Sequence, residues 1–525
     1  PLNPGPSLPY LSAVLLILCF PKPDLGWLAW IALFPLLKFL LQSGTRERAF
    51  RAAYIAGVIF YTGLLYWIYV TCRAGGVSPI FSLLAWLLLS LILAVNWSVF
   101  GIAVFHSRIL LGFTEKKTLR WIKFPVVLGL PFLLACVWTS LEFIQARFLW
   151  QFPWELLGYS QWRHPALLQV ASWTGVYGIS FLIVWVNATL AVAHVSVPVL
   201  QGNRGALLIL PGLALGLNTI LGSLCLYKSS VPSSLDKISV ALLQPNVDQY
   251  KKWTPSFTKE IQSSLTQLSL QAEQNGADLI VWPESSVPGF FEDPVYHGWL
   301  SHLVQRGKAI HVIGAVTQLQ GGIQNAAFLF SPPAKQGVII FVAKRHLVPF
   351  GEFIPLKAVL ARWIPVLNAF GEIMPGTSPG ILDSPVGKLG MTICYESIFP
   401  HLTRELVARG AHVLINMTND GWYLNTAGPY QHFSMNVLRA VENRRFLLRS
   451  ANTGISAVVD PYGRILSQTH LGEKAVLVTS LPSWENPERS FYSRFGDWFG
   501  WLCLGVSLLS LGSVTKLLTY LEAKV

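Results

Sequence analysis

Charge is what this 525-residue chain has least of: Asp, Glu, Lys and Arg together make up 12% of it, against about 25% in ordinary soluble domains. With 52% hydrophobic residues, that scarcity excludes an ordinary water-soluble globule and makes a membrane protein the first expectation. Acid is scarcer than base, 26 residues against 39 for a net charge of +13. The basic residues form no single stripe interleaved with aromatics, so no nucleic-acid partner is expected. Neither a Walker A sequence nor a GxGxxG following a strand is present. The 11 histidines are scattered, with no zinc-type Cys/His spacing, and His401 and His412 form no HExxH pair. No metal and no cofactor are expected. Internal repeats and low-complexity tracts are also missing.

Cysteine is sparse, six residues in all, and its placement says more than its number. Cys19, Cys72, Cys136, Cys225 and Cys503 lie within or at the ends of apolar runs, where they read as small buried hydrophobes. Cys394 alone falls in the polar part of the chain, so that part has no partner for a structural disulfide. A chemical role for its thiol becomes the stronger reading.

What the chain has in abundance is long apolar runs. Stretches of about 20 such residues cross a bilayer as helices, and candidates lie at 8–21, 26–42, 50–71, 79–112, 124–143, 166–195, 205–227 and 498–515. About eight spans are expected. Pro21 and Pro23 break the first pair into a helical hairpin, and the run 79–112 is long enough for one tilted helix or two segments. A cleaved signal peptide is the rival reading of the first run. No positive n-region precedes it and no small-residue cleavage site follows, so a retained helix is expected.

Arg46, Arg48 and Arg51 mark one loop, Lys116, Lys117, Arg120 and Lys123 a second, Arg204 a third, and Lys516 with Lys524 the tail. These positions alternate on one side, which places both termini in the cytoplasm and the polar segment between the last two spans outside. The expected domains are therefore 1–230, N-terminal transmembrane helices; 237–480, an outward-facing catalytic domain; and 481–525, a last transmembrane helix and tail.

The polar domain shows short apolar runs expected to be strands: 237–243, 278–282, 310–316, 326–330, 338–343, 388–394, 413–417, 456–459 and 475–478. Continuous rather than alternating apolar runs suit strands covered on both faces, hence helices packed over mixed sheets. Three of them deliver chemistry. Leu279–Ser285 (LIVWPES) presents Glu284, Phe341–Glu352 (FVAKRHLVPFGE) presents Lys344, and Leu389–Ser397 (LGMTICYES) presents Cys394. A carboxylate, an ammonium and a thiol at strand ends are a base, a cation for developing negative charge and a nucleophile. Singly, each reads better as a surface carboxylate, a surface amine and an inert buried thiol. The ordered set is what makes the catalytic reading stronger.

WPE, then KxHLVPFGE, then CYE in that order resembles the nitrilase superfamily. Combined with the membrane spans and Phe152–Gln161 (FPWELLGYSQ), the whole chain is similar to the apolipoprotein N-acyltransferase family. The resemblance implies an αββα sandwich beside a polytopic helical membrane domain, a catalytic triad of Glu284, Lys344 and Cys394, and location in the bacterial inner membrane with the catalytic domain in the periplasm. It further implies transfer of the sn-1 acyl chain of a phospholipid, phosphatidylethanolamine being the expected donor, to the N-terminal amine of a diacylated lipoprotein. Glu352 and Glu396 are supporting candidates that would hold Lys344 charged and oriented; Tyr395, Asn325 and His346 are further ones. Trp253, Trp422 and Tyr430 are candidates for a substrate-facing lid, with Asn416 and Asn419 in the same loop. The rival readings are a membrane-anchored carbon–nitrogen hydrolase and a catalytically inactive lipoprotein-binding module.

Overall fold

The computed structural model describes residues 5, 7–108, 124–148, 151–195, 204–229, 237–319, 321–332, 339–355, 357, 373–483 and 488–523. The expected basic loop Lys116, Lys117, Arg120 and Lys123, the tail residue Lys524, the end of the run to 112 and Val338 lie outside them. Two compact units emerge. One comprises Pro1–Lys228, Thr426–Leu438 and Phe495–Val525; the other Ser229–Asn425 and Arg439–Arg494. The assignment of Thr426–Leu438 to the helical unit has no counterpart in the contiguous blocks expected from the sequence.

In the helical unit, Pro79–Ser107, Leu128–Arg147, Val176–Val195 and Gly205–Lys228 are long and apolar enough to cross a membrane, since about 20 residues at 1.5 Å each span the hydrocarbon core. Arg46–Leu64 and Trp67–Ala74 qualify together as a pair bent by 47°. Leu8–Leu18, Gly26–Leu41 and Trp498–Gly512 are shorter apolar helices. Length and composition thus give four spans, or five with the bent pair, among the described residues, fewer than the eight expected. Small residues bring helices together as membrane packing requires. A Cβ on Gly57 would lie 2.8 Å from the Trp97 ring, and one on Gly101 would lie 2.6 Å from the Ala53 methyl.

The second unit holds two six-stranded sheets, ordered β12-β1-β2-β3-β4-β5 and β11-β10-β9-β8-β7-β6. The strands are β1 Lys237–Gln244, β2 Leu279–Val281, β3 Ile310–Leu319, β4 Gly322–Phe330, β5 Ile339–Ala343, β6 Ile381–Ser384, β7 Gly387–Ile393, β8 Val413–Thr418, β9 Leu447–Ala451, β10 Ala457–Val459, β11 Ile465–Gln468 and β12 Ala475–Pro482. The centres of both sheets are parallel, β1-β2-β3 and β7-β8-β9, with antiparallel strands at the flanks. One core joins the sheets face to face through Val240, Leu242, Val281 and Val312 on one side and Leu389, Met391, Val413 and Ile415 on the other. A second core packs helices Thr258–Gln274 and Pro294–Gln305 onto the outer face of the first sheet through Leu265, Leu268, Leu300 and Val304. Helix Pro400–Ala408 lies against β7. Double coverage explains why the central strands read as continuous apolar runs. Nine expected strands are present with ends shifted by a few residues; β6, β9 and β11 were not expected.

Candidate active site

The site forms where the parallel strands end, the place in such sheets where loops converge and ligands bind. Trp282 extends the β2 ladder by donating its N–H to the Val312 carbonyl at 2.8 Å. The chain then turns through Pro283 and Glu284 into Ser285, whose φ of 46° is left-handed. Gly314 on β3 lets this turn sit against the sheet, because a Cβ there would fall 2.2 Å from the Pro283 carbonyl oxygen. Lys344 follows β5, its N–H bonded to the Asn325 carbonyl at 2.8 Å. Cys394 follows β7 with a φ of 53° and opens the single 3-10 turn Cys394–Ile398. A left-handed non-glycine residue is disfavoured and persists only where its surroundings hold it.

Much of that holding comes from Glu396. Its carboxylate accepts from the N–H groups of Ile393 at 2.7 Å, Arg345 at 2.7 Å and His346 at 3.0 Å. It therefore ties the Cys394 turn to the segment after Lys344, and none of these bonds goes to the Lys344 ammonium. Glu352 is the one of these two acids that contacts the Lys344 ammonium. Lys344 Nζ, 1% exposed, donates to Glu352 Oε1 at 2.7 Å and lies 3.4 Å from Glu284 Oε1. Glu284 Oε1 also accepts from Asn325 Nδ2 at 2.7 Å, and Oε2 accepts from the Asn419 N–H at 2.9 Å.

The electrostatics follow from burial. Burial pushes Lys344 down, but Glu284 and Glu352 override it and hold the ammonium above its ordinary pKa, so it stays a cation. Burial pushes the Cys394 thiol up, Glu284 and Asp420 add to this, and Lys344 with a Thr418 hydrogen bond opposes it. The resting thiol is therefore protonated and depends on a base to react. His346 packs on the Phe399 ring, centroids 4.2 Å apart; burial, Lys344 and Arg345 push its imidazole down to about 4. It is neutral at physiological pH. Tyr395 is buried, and burial pushes its hydroxyl up.

Sequence reasoning singled out Trp253 and passed over its neighbour. Lys252 is 3% exposed, donates to the Glu284 carbonyl oxygen at 3.3 Å, and is pushed down to about 8 by burial, with Glu284 and Cys394 partly offsetting this. The only signal in the sequence was the pair Lys251-Lys252 before an aromatic residue. A buried network also went unread. Asp420 Oδ2 accepts from Arg449 at 2.7 Å with both side chains inaccessible, Arg449 also donates to Asn416 Oδ1, and Asn416 Nδ2 donates to the Cys394 carbonyl at 3.3 Å. Trp253 and Trp422 are 50% and 41% exposed. Tyr430 belongs to the helical unit, where the Lys22 ammonium lies 5.6 Å from its ring centre.

Two family models match: the apolipoprotein N-acyltransferase N-terminal domain over residues 12–189 and the carbon-nitrogen hydrolase domain over 239–484. An apolipoprotein N-acyltransferase of Geobacter metallireducens is 37% identical over 94% of this chain and 92% of its own length. One of Chlorobaculum tepidum is 28% identical over 95% and 94%. Among solved structures, a nitrilase-superfamily amidase of Nesterenkonia covers 51% of this chain and 96% of its own at 20% identity and a TM-score of 0.37. A carbon-nitrogen hydrolase of Helicobacter pylori covers 47% and 89% at 18% identity and 0.36. With both domain models matched in order and end-to-end similarity of this degree, the chain belongs to the apolipoprotein N-acyltransferase family.

Proposed function

We propose that the enzyme moves the sn-1 acyl chain of a phospholipid, with phosphatidylethanolamine as donor, onto the N-terminal amine of a diacylglyceryl-cysteine lipoprotein through a thioester on Cys394. The observation that carries this is the buried Lys344 ammonium clamped between Glu284 and Glu352 beside a protonated nucleophile. Glu284 takes the Cys394 proton as sulfur attacks the ester carbonyl. Lys344 and the N–H of Tyr395, at the open start of a 3-10 turn, face the oxyanion. Collapse expels the lysophospholipid alkoxide, which leaves with the proton from Glu284. The acceptor amine, with a reference pKa of about 7.7 to 8.0, then attacks the thioester. Glu284 receives its proton and returns it to the departing thiolate, and an amide results.

The helical region 1–230 and the closing helix of 481–525 make about eight spans of the inner membrane on this reading, the shorter apolar helices included. Domain 237–480 works in the periplasm. Half-exposed Trp253 and Trp422 offer the apolar edge over which acyl chains enter. Excluding water keeps the thioester for the amine.

The test is to incubate purified enzyme with phospholipid alone, then add a diacylated lipopeptide, and follow the mass of the Cys394 peptide. Wild type is expected to gain one acyl chain and pass it to the peptide amine, and Cys394→Ala to do neither. Release of free fatty acid instead of transfer would make the protein a hydrolase, and an acylated peptide without any adduct would end the thioester scheme.

A further inference from the structure

The helical unit contains a small cavity of about 30 Å³, lined by Phe60, Tyr61, Trp97, Trp138 and Trp154 together with Asn96, Gln145, Glu142 and Glu155. No Lys, Arg or His is among its lining residues. Glu142 is 8% exposed and Glu155 3%. In each carboxylate the partners named next lie on one oxygen, and the Ser180 hydroxyl also bonds the Glu142 carboxyl. Glu142 Oε1 accepts from Trp138 Nε1 and from the Leu157 N–H, both at 2.9 Å, and Glu155 Oε1 accepts from the Ser434 hydroxyl at 2.7 Å. The other oxygens, Oε2 of both, are buried without a hydrogen-bond partner among the described residues. The neighbouring amides are engaged with one another, Asn96 Nδ2 donating to Gln145 Oε1 at 2.7 Å, so they do not supply the missing donors.

Two buried acids with no cation among the residues lining their cavity, each with an oxygen that no described residue bonds, are costly unless something completes them. Burial pushes the Glu155 carboxyl well up, with the Ser434 hydrogen bond opposing and Asp24 adding to it, so an arriving cation takes the place of its proton. The walls narrow the chemistry of that group. A hard divalent ion selects six or more oxygens, whereas here aromatic rings crowd together, Trp97 and Trp138 with centroids 5.5 Å apart and Phe60 and Trp97 at 5.2 Å. Carboxylate oxygens for N–H donors and ring faces for a positive charge and its methylenes suit an organic ammonium. We propose that this cavity binds a primary alkylammonium group through the Oε2 atoms of Glu142 and Glu155.

Two substrates of the proposed reaction carry that group: the ethanolamine head of the donor lipid and the α-amine of the acceptor. That pairing rests on the acyl-transfer reading; binding of the ammonium itself does not. The test uses full-length Cys394→Ala protein in nanodiscs of phosphatidylglycerol, titrated with ethylammonium against sodium at constant ionic strength. Saturable binding is expected with ethylammonium and not with sodium, weakened about tenfold or more in Glu142→Gln and Glu155→Gln, as loss of a charge-assisted hydrogen bond implies. Because the titration on the parent protein needs no site variant, it decides even if the Gln variants fail to fold. Suppression of the signal in phosphatidylethanolamine nanodiscs would identify the head group. Competition by a diacylated lipopeptide with a free but not an acetylated amine would identify the acceptor. No preference for ethylammonium over sodium, or undiminished binding in both Gln variants, overturns the assignment; competition by neither substrate overturns the pairing with the two substrates. None of these readouts requires turnover, so a failed thioester test leaves them intact.

Discussion

Replacing Glu352 by Gln keeps the size and shape of the side chain and removes one of the two negative charges on Lys344. At 2.7 Å and an effective dielectric of about 20, that charge pair is worth roughly 6 kcal/mol gross. Desolvation and side-chain ordering consume part of this, and Glu284 at 3.4 Å remains, so a net loss of about 3 kcal/mol is expected, within the range found when one partner of a buried pair is removed. Two consequences follow. Lys344 loses one of the carboxylates that hold its pKa up against burial. Glu284 becomes the sole counter-ion of the cation and so a weaker base for Cys394. At about 1.4 kcal/mol per factor of ten, acylation of Cys394 should slow by roughly 100-fold, read as single-turnover thioester formation by mass. The sign for stability is clear. A Lys whose folded pKa lies above its unfolded value contributes stability that is complete below the unfolded pKa and lost only as pH rises through the folded one. Wild type should therefore show no Lys344-linked change between about pH 5 and 9. A Glu352→Gln enzyme that acylates within about threefold of wild type would refute the reasoning.

Lys252→Met should slow alkylation of Cys394 by iodoacetamide and abolish any limb of its pH profile near 8, whereas a purely structural Lys252 would leave that profile unmoved; Lys252→Arg should restore the rate in part. His346 has a folded pKa depressed to about 4 from an unfolded value of about 6.5, so stability should fall as pH drops from 6.5 through 4. His346→Gln should flatten that loss in melting curves taken across the same window. Asp420→Asn removes a buried carboxylate paired with Arg449 and should destabilise the catalytic unit by about 3 to 5 kcal/mol, seen as a lowered melting temperature with loss of the Cys394 environment.

Glu284, Lys344 and Cys394 were legible as candidates because each follows a continuous apolar run, and such runs become covered strands whose ends converge. Glu352 was readable for the same reason, eight residues beyond Lys344 in a short, recognisable segment. Glu396 was found but given the wrong bond. Two residues after Cys394 it points to three backbone N–H groups, and the ordering of loops by backbone N–H groups leaves no pattern in side-chain spacing. Strand β9 was missed because Leu447–Ala451 contains Arg449, which reads as exposed until Asp420, 29 positions earlier, is seen beside it.

By itself the sequence determined the division into apolar and polar parts, the covered strands and the candidacy of Glu284, Lys344 and Cys394, because hydrophobic periodicity and residue chemistry are local properties. Only the tertiary structure decided which acid clamps Lys344, that Lys252 reaches the Glu284 carbonyl, that Thr426–Leu438 packs with the helical unit, and that Glu142 and Glu155 share a cavity. Each of these depends on desolvation and on contacts between residues far apart in the chain, and neither exists until the chain has folded.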